Sequence, residues 1–291
     1  MKILLIGHSV IDHFEGAGAG TPEPGGIYYS TLGMLACANP EDSISLLTGW
    51  NKGTINLFDS FYSRVEMRFA EAIDQLPEVF LNISGEGERK ERYVNLSEGL
   101  SISRVTDWNL FDGILINMIT GFDITADQLK TIRSSFKGTI YLDVHTLSRG
   151  VDANMKREFR PIPRVKEWLS NIDILQCNEN ELITIVQNKN ERESAAEILN
   201  QGVKIVLVTR GEKGASLYYK SNSELSFYTL DAVKINAVNK VGCGDIFGAV
   251  FFYSYISTGD LCKSLVKANN AGALTASANK LTLKTLISIN D

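Results

Sequence analysis

Short apolar runs alternate with helix-like segments along most of this chain. The apolar runs are Lys2–Gly7, Ser43–Thr48, Asp112–Met118, Gly138–Val144, Ile172–Cys177 and Val203–Thr209. Apolar residues recur at helical spacing over 27–38, and helix-like segments occupy about 124–136, 163–170, 179–187 and 191–201. Strands that alternate with helices predict right-handed βαβ crossovers and a mainly parallel sheet covered by helices on both faces. We therefore predict an α/β fold of three layers.

Two segments depart from this alternation. Residues 16–26 are rich in glycine and proline and read as a long flexible stretch, and residues 78–96 form two short runs around the polar turn 84–88. The second pattern predicts a hairpin, and a hairpin alone is only marginally stable in water. We predict a single domain over 1–291 with a small β-lid from about 13–23 and 78–96. Another hairpin is expected at 214–230, followed by helices at about 244–257 and 260–278.

Composition excludes several classes of protein. The 29 basic and 34 acidic residues give a formal charge of −5, which argues against nucleic-acid and anionic-membrane partners. The longest apolar stretch, Ile246–Ile256, has 11 residues, whereas a bilayer span needs about 20. The N-terminal apolar run is too short for a secretory leader. Four cysteines without a CxxC pair favour a reducing compartment. We expect a cytoplasmic protein.

The strongest local signal is the loop Asn239-Lys-Val-Gly-Cys-Gly-Asp245, which precedes an apolar helix. Glycines at 242 and 244 permit a tight turn and leave backbone N–H groups unobstructed at a helix N-terminus, a geometry that binds anionic oxygens. Asp245 would lie in the first helical turn beside such an anion, where a carboxylate can take a proton from an attacking hydroxyl. The alternative is an ordinary glycine turn with Asp245 as a helix-start residue.

This loop resembles the C-terminal signature of the ribokinase-like carbohydrate and nucleoside kinases, D-T-x-G-A-G-D. The resemblance implies that Gly242, Cys243 and Gly244 form an anion hole for the transferred phosphoryl group and that Asp245 is the catalytic base. Asn239 and Lys240 stand in place of the family's Asp and Thr. These two departures argue against the monovalent-cation site that some members build beside the loop.

Further segments resemble the family's motifs in the same order. Asp12 follows the first strand, Gly25 and Gly26 match a double-glycine motif, and Asp143 begins a segment similar to D-x-N/Q-x-x-x-R. The resemblance assigns these residues to substrate binding, together with Ser30, which replaces the family's frequent Asn. Each also has a plain structural alternative, such as a turn cap at Asp12 or loop chemistry at the two glycines.

Motifs for the nucleotide and the metal follow. Thr209, Gly211 and Gly214 resemble a T-x-G-x-x-G nucleotide loop, and Asn269 lies in a segment similar to the family's helix beside the adenine. Asn178 and Glu181 match the N-x-x-E motif that helps hold Mg²⁺, here through water. The same pair also fits a helix capping box, and both readings can hold together.

The resemblance implies an ATP-dependent, Mg²⁺-requiring kinase that transfers the γ-phosphoryl group to a hydroxyl of a small sugar, polyol or nucleoside. A homodimer formed through the β-lid is also implied. The substituted residues Asn239, Lys240 and Ser30 support an alternative, a catalytically weak relative that senses a sugar or nucleotide. A Rossmann-type enzyme is disfavoured because no G-x-G-x-x-G follows the first strand. The absence of a basic cluster near residues 7–30 favours an uncharged acceptor.

Overall fold

The computed structural model describes residues 1–15, 20–82 and 90–286. Residues 16–19 of the expected lid and the expected turn at 84–88 lie outside the described residues. The strands are β1 (Lys2–Ile6), β2 (Ser9–Glu15), β3 (Glu23–Gly26), β4 (Ser43–Leu47), β5 (Gly49–Trp50), β6 (Glu71–Ala72), β7 (Glu78–Asn82), β8 (Lys90–Val94), β9 (Gly113–Asn117), β10 (Thr139–Asp143), β11 (Arg149–Val151), β12 (Arg157–Phe159), β13 (Ile174–Asn178), β14 (Ile205–Thr209), β15 (Ala215–Ser221) and β16 (Glu224–Leu230). The helices are α1 (Ile27–Cys37), α2 (Ile55–Tyr62), α3 (Ala126–Ser135), α4 (Val165–Leu169), α5 (Glu179–Ile185), α6 (Glu191–Asn200), α7 (Cys243–Thr258), α8 (Leu261–Ser277) and α9 (Leu283–Leu286).

Eight strands form the central sheet in the order β16-β15-β14-β13-β10-β9-β1-β4. The six strands from β14 to β4 pair in parallel, and β15 and β16 close one edge as an antiparallel hairpin. Parallel strands share one direction, so their carboxyl ends lie along the same edge of the sheet, where ligands bind in open α/β folds. The predicted fold class and mainly parallel sheet are confirmed.

Side chains of the central strands alternate between two buried layers. In β1, Ile3 and Leu5 belong to one apolar cluster, while Leu4 and Ile6 belong to the other. The first cluster includes residues of α1, α7 and α8, and the second includes residues of α3, α4, α5 and α6. A strand buried on both faces needs a continuous apolar run, which is why the sequence pattern located these strands well.

Helix α7 is apolar around its circumference because neighbours cover it on several sides. It packs against α1, α8 and the central strands β9 and β10. Phe251 and Phe252 are fully buried, and burying an aromatic or aliphatic side chain of this size contributes about 1.5–3 kcal/mol. This anchoring fixes the N-terminus of α7 at the carboxyl edge of the sheet. No helix in the described ranges is both long enough and apolar enough to span a bilayer.

A second sheet of four strands, which we call the small sheet, lies beside this edge in the order β3-β2-β7-β8. Strand β2 pairs in parallel with β7 and antiparallel with β3. The flexible stretch expected over 16–26 is too long at its C-terminal end, because β3 spans Glu23–Gly26. Helix α2 and the short strands β11 and β12 were not predicted, since each is too short to show a clear period.

Candidate active site

The inner face of the small sheet brings charged and aromatic side chains together. Asp12 in β2 lies opposite Val79 in β7, and Val79 lies opposite Tyr93 in β8. Glu91, two residues before Tyr93, therefore points to the same side as Tyr93. All four side chains are buried. The alternation of the strands thus directs two carboxylates toward the interior.

The N-terminus of α7 faces this surface. Gly242 caps the helix with φ +79° and ψ −5°, a left-handed conformation that side-chain-bearing residues rarely adopt. A Cβ atom at this position would lie 2.4 Å from the Tyr29 ring. The first N–H groups of a helix have no intrahelical acceptor, so those of Gly244 and Asp245 can bind an anion.

A small cavity of about 30 Å³ lies between the small sheet and the start of α7. Asp12 and Asp245 both line it, so the structure brings together two residues that are far apart in sequence. The other lining residues are Val10, Gly26, Tyr29, Val79, Leu81, Glu91, Tyr93, Ile119, His145, Val241 and Gly242. The cavity therefore combines apolar walls with several carboxylates.

Gly25 explains how Asp12 reaches its position. A Cβ atom at residue 25 would lie 2.3 Å from the Asp12 carboxyl group, so only glycine permits this approach. The Tyr29 hydroxyl donates to Asp12 Oδ2 over 3.4 Å, which is a long hydrogen bond. The double glycine thus has a packing role beside Asp12, whatever ligand the cavity receives.

Asn117 orients Asp245, and sequence reasoning missed it. Its Nδ2 donates to Asp245 Oδ1 over 2.6 Å and to Ser30 Oγ over 2.9 Å. The signal was present, because Asn117 is the polar last residue of an otherwise apolar strand at the ligand-binding edge. Ser30 contacts Asn117 and is almost fully buried, and it is not among the described residues that line the small cavity.

Asp143 ends β10 in a buried polar cluster. Gln176 Nε2 donates to Asp143 Oδ2 over 2.8 Å and to the Gly244 carbonyl over 3.1 Å, and the His145 N–H donates to Asp143 Oδ1 over 3.2 Å. Burial, reinforced by the negative charges of Glu181 and then Asp245, raises the pKa of Asp143 well above its ordinary value. Asp143 is likewise absent from the described lining of the small cavity.

Asn178 and Glu181 form a capping box at the start of α5. Asn178 Oδ1 accepts from the N–H groups of Asn180 and Glu181, and Glu181 Oε2 accepts from the Asn178 N–H. Glu181 Oε1 lies 4.0 Å from His145 Nδ1. The capping role expected from the sequence is present, and the carboxylate also faces the cluster around Asp143.

A larger cavity of about 480 Å³ opens on the other side of the α7 N-terminus. The residues expected to bind a nucleotide, namely Thr209, Gly211, Gly214 and Asn269, all line it. Its other lining residues are Glu212, Ala215, Ala232, Val233, Lys234, Ile235, Ala237, Lys240, Cys243, Gly244, Phe247, Gly272, Ala273 and Ala276. Most of these side chains are small or apolar. Sequence reasoning missed the contribution of 232–237, which has no regular pattern.

The two cavities meet at the first turn of α7. Gly242 and Asp245 line the small cavity, while Cys243 and Gly244 line the large one. A group transferred from a ligand in the large cavity to one in the small cavity would pass the backbone N–H groups of this turn. Next to the loop, Asn239 Oδ1 accepts from the Val241 N–H over 2.9 Å, and the Cys243 thiol lies 3.8 Å from the Asn239 carbonyl.

Comparison with known proteins finds a family match over the C-terminal part of the chain. A model of the pfkB family carbohydrate kinases matches residues 145–285, which include the α7 loop. Over these residues the chain is similar to the pfkB family carbohydrate kinases. The resemblance inferred from the sequence motifs is therefore confirmed.

Relatives of this chain include an ATP-dependent ribose-1-phosphate kinase of Halopiger xanaduensis, 31% identical over 110 residues, which are 38% of this chain and 34% of that protein. The matched part of the chain spans 34% to 43% of the length of the first curated relatives.

Solved structures share the fold over the whole length. A pyrophosphate-dependent kinase of the ribokinase family, complexed with a pyrophosphate analog and myo-inositol, has a TM-score of 0.78 at 15% identity and covers 98% of this chain and 99% of its own. Arabidopsis thaliana ribokinase, complexed with ribose and ATP, has a TM-score of 0.74 at 17% identity, covering 99% and 97%.

Proposed function

We propose that this protein is a kinase that transfers the γ-phosphoryl group of ATP to a hydroxyl of a small sugar, polyol or nucleoside. The observation that carries the proposal is the meeting of a large cavity and a small carboxylate-lined cavity at the first turn of α7. Phosphoryl transfer needs two ligands in line with stabilisation of charge between them, and this turn offers N–H groups at that point.

The large cavity suits a nucleotide donor. Val233, Ile235 and Ala276 provide apolar surface for a base, and Gly244 lies at the helix N-terminus where phosphates bind. Lys240 lines the same cavity and adds a positive charge near that end. Pyrophosphate, the donor of one structural neighbour, has no apolar part that would use these walls. ATP is therefore the donor that we infer.

The small cavity is the inferred acceptor site. Asp12 accepts hydrogen bonds from acceptor hydroxyls, and Asp245, held by Asn117, takes the proton of the reacting hydroxyl. The acceptor oxygen then bonds to the γ-phosphorus while the bond from that phosphorus to the β–γ bridging oxygen breaks. ADP and a phosphate ester leave. Gly242, Cys243 and Gly244 hold the phosphoryl oxygens through backbone N–H groups during transfer.

Mg²⁺ fits the group of carboxylates at this edge. Asp143 is crowded by the negative charges of Glu181 and Asp245, a condition that a cation relieves. Within the described ranges no three potential ligands lie close enough to bind one ion directly. Mg²⁺ commonly keeps several waters, so Glu181 and Asp143 would hold it through water with the donor phosphates, and when bound it would offset phosphate charge. The Asn178 side chain serves the helix cap.

The small sheet as a lid and the homodimer through it stay predictions. If the dimer prediction holds, sedimentation at micromolar concentration gives a species of twice the mass of the 32.1 kDa chain. A monomer with and without ligands would contradict the dimer and leave the lid untouched.

A coupled assay of ADP release tests the proposed function. The protein is screened with ATP and Mg²⁺ against sugars, polyols and nucleosides, and in parallel with pyrophosphate as donor. We expect acceptor-dependent ADP release with ATP and no comparable transfer from pyrophosphate. Binding of ATP and acceptor without transfer would instead support the sensor alternative.

A further inference from the structure

A buried carboxylate in the small cavity has no part in the proposed transfer. Glu91 is 5% exposed and lines the cavity from the inner face of β8. Its register partner Leu81 lines the same wall. Burying a carboxylate is costly unless a partner compensates. Arg149, itself 9% exposed, provides one, with Nη1 lying 3.6 Å from Glu91 Oε1.

Charge around the cavity is strongly one-sided. Asp12, Glu91 and Asp245 line it, and no lysine or arginine is among its described lining residues. Arg149 lies behind Glu91 and stacks its guanidinium over the Phe159 ring at 4.6 Å. A ligand in this cavity therefore meets hydrogen-bond acceptors, which suit hydroxyl groups. An anionic ligand group would meet carboxylates, and one like-charge contact at about 4 Å weakens binding on the order of a hundredfold or more.

We propose that Glu91 is a specificity-determining residue that accepts hydrogen bonds from the hydroxyls of an uncharged acceptor and excludes acceptors that carry a phosphate group. This inference rests on the proposed role of the small cavity as the acceptor site. Arg149 acts as a positioning residue, because its guanidinium lies 3.6 Å from Glu91 Oε1 and compensates the burial of that carboxylate. On this inference the chain differs in acceptor from its relative that is named for ribose-1-phosphate, because it would bind an uncharged acceptor.

Matched ligand pairs test the proposal. Binding to the wild-type protein is measured by calorimetry for ribose and ribose 1-phosphate, for myo-inositol and its 1-phosphate, and for nucleosides and their monophosphates. We expect an uncharged member to bind best, roughly a hundredfold tighter than its phosphate ester. Tighter binding of any phosphate ester, or failure of every uncharged member to bind, would overturn the proposal.

Variants assign the effect to Glu91. Glu91→Gln removes the charge with little change of shape, and we expect a roughly 10- to 100-fold loss of affinity for the uncharged acceptor, the scale of a charge-assisted hydrogen bond. In Glu91→Gln, the ratio of the affinity for the uncharged acceptor to the affinity for its phosphate ester should also fall. Glu78→Gln is the matched control, because Glu78 lies on the outer face of the same sheet, where it bonds His13 Nε2 over 2.7 Å.

A purely structural role of Glu91 predicts a different pattern. Loosening of the small sheet would weaken the binding of uncharged and phosphorylated acceptors alike. Equal losses of affinity for both kinds of acceptor in Glu91→Gln would therefore refute the proposal. The affinity for ATP serves as an internal reference, and we expect it to be unchanged. If the protein binds uncharged acceptors more tightly but transfers no phosphoryl group to them, the kinase assignment is refuted and the inference about Glu91 stands. If the protein transfers a phosphoryl group to a phosphate ester alone, the kinase assignment stands and the inference about Glu91 is refuted.

Discussion

Replacing Asn117 with leucine removes the amide group that holds Asp245. Asn117 Nδ2 donates to Asp245 Oδ1 over 2.6 Å, and hydrogen bonds to charged groups contribute about 1.5–3 kcal/mol. If that interaction orients the base for transfer, its loss lowers kcat by roughly 10- to 150-fold, since about 1.4 kcal/mol corresponds to a factor of ten. Affinity for ATP should be unchanged because Asn117 does not line the large cavity.

The stability of this variant should fall only moderately, so that the protein still folds. Asn117 Oδ1 is buried without a hydrogen-bond partner among the described residues, so the wild-type side chain already carries an unsatisfied acceptor. Leucine has the same branching as asparagine and removes that acceptor, which offsets part of the loss of the two hydrogen bonds that the amide donates to Asp245 and Ser30. We expect the free energy of unfolding to fall by about 1–3 kcal/mol.

Steady-state kinetics and thermal unfolding, measured together, check this prediction. Ser30→Ala is the matched control, because it removes the second acceptor of the same amide and leaves the contact with Asp245. Asn117→Asp should be worse than Asn117→Leu near neutral pH, since two carboxylates in contact cannot both ionise freely. A kcat within twofold of wild type in the folded Asn117→Leu protein would refute the positioning role.

Three further predictions concern the turn, the metal and pH. Gly242→Ala should lower the melting temperature, because left-handed backbone costs about 1–2 kcal/mol and the added Cβ would clash, whereas Gly244→Ala, whose Cβ would lie 3.7 Å from its nearest neighbour, should weaken transfer with little loss of stability. Glu181→Gln should raise the Mg²⁺ concentration needed for half-maximal activity, while thermal unfolding shows at most about 0.5–2 kcal/mol of lost capping; an unchanged Mg²⁺ titration would leave Glu181 with the cap alone. Because the pKa of Asp143 is raised in the folded state, its contribution to stability should fall as pH rises from the ordinary aspartate pKa through the folded value. Melting curves of wild type and Asp143→Ala across pH should therefore diverge above about pH 4, and Mg²⁺ should reduce the divergence; parallel curves would contradict it.

The sequence located the central strands because strands buried on both faces are continuous apolar runs. It also located the α7 loop, since two glycines before an apolar helix have a direct backbone meaning. The orientation of side chains in the small sheet was harder to predict from the sequence. Lys90–Val94 reads as a polar surface strand, and only its pairing with β7 turns Glu91 inward.

Contacts between residues that are far apart in sequence could not be predicted either. Asn117 and Asp245 are 128 residues apart, and Asn117 gains its role from the end of β9 lying beside the first turn of α7. The contact of Ser30 with Asn117 was not predicted either, and the substrate-binding role of Ser30 stays a prediction. Such relations depend on how helices pack over the sheet, which local periodicity does not encode.

The turnover of Asp245→Asn with the best acceptor from the ADP-release screen tests the central claim most directly. Asparagine keeps the shape of the side chain and removes the proton acceptor, so we predict a fall in kcat of roughly 10²–10⁴ with unchanged affinity for ATP and unchanged melting temperature. Asp260→Asn is the control. Asp260 also lies at the start of a helix, where it accepts from the Lys263 N–H, and it is not among the described residues that line either cavity. It should retain wild-type turnover. A folded Asp245→Asn protein that turns over near the wild-type rate would contradict the assignment of Asp245 as the base.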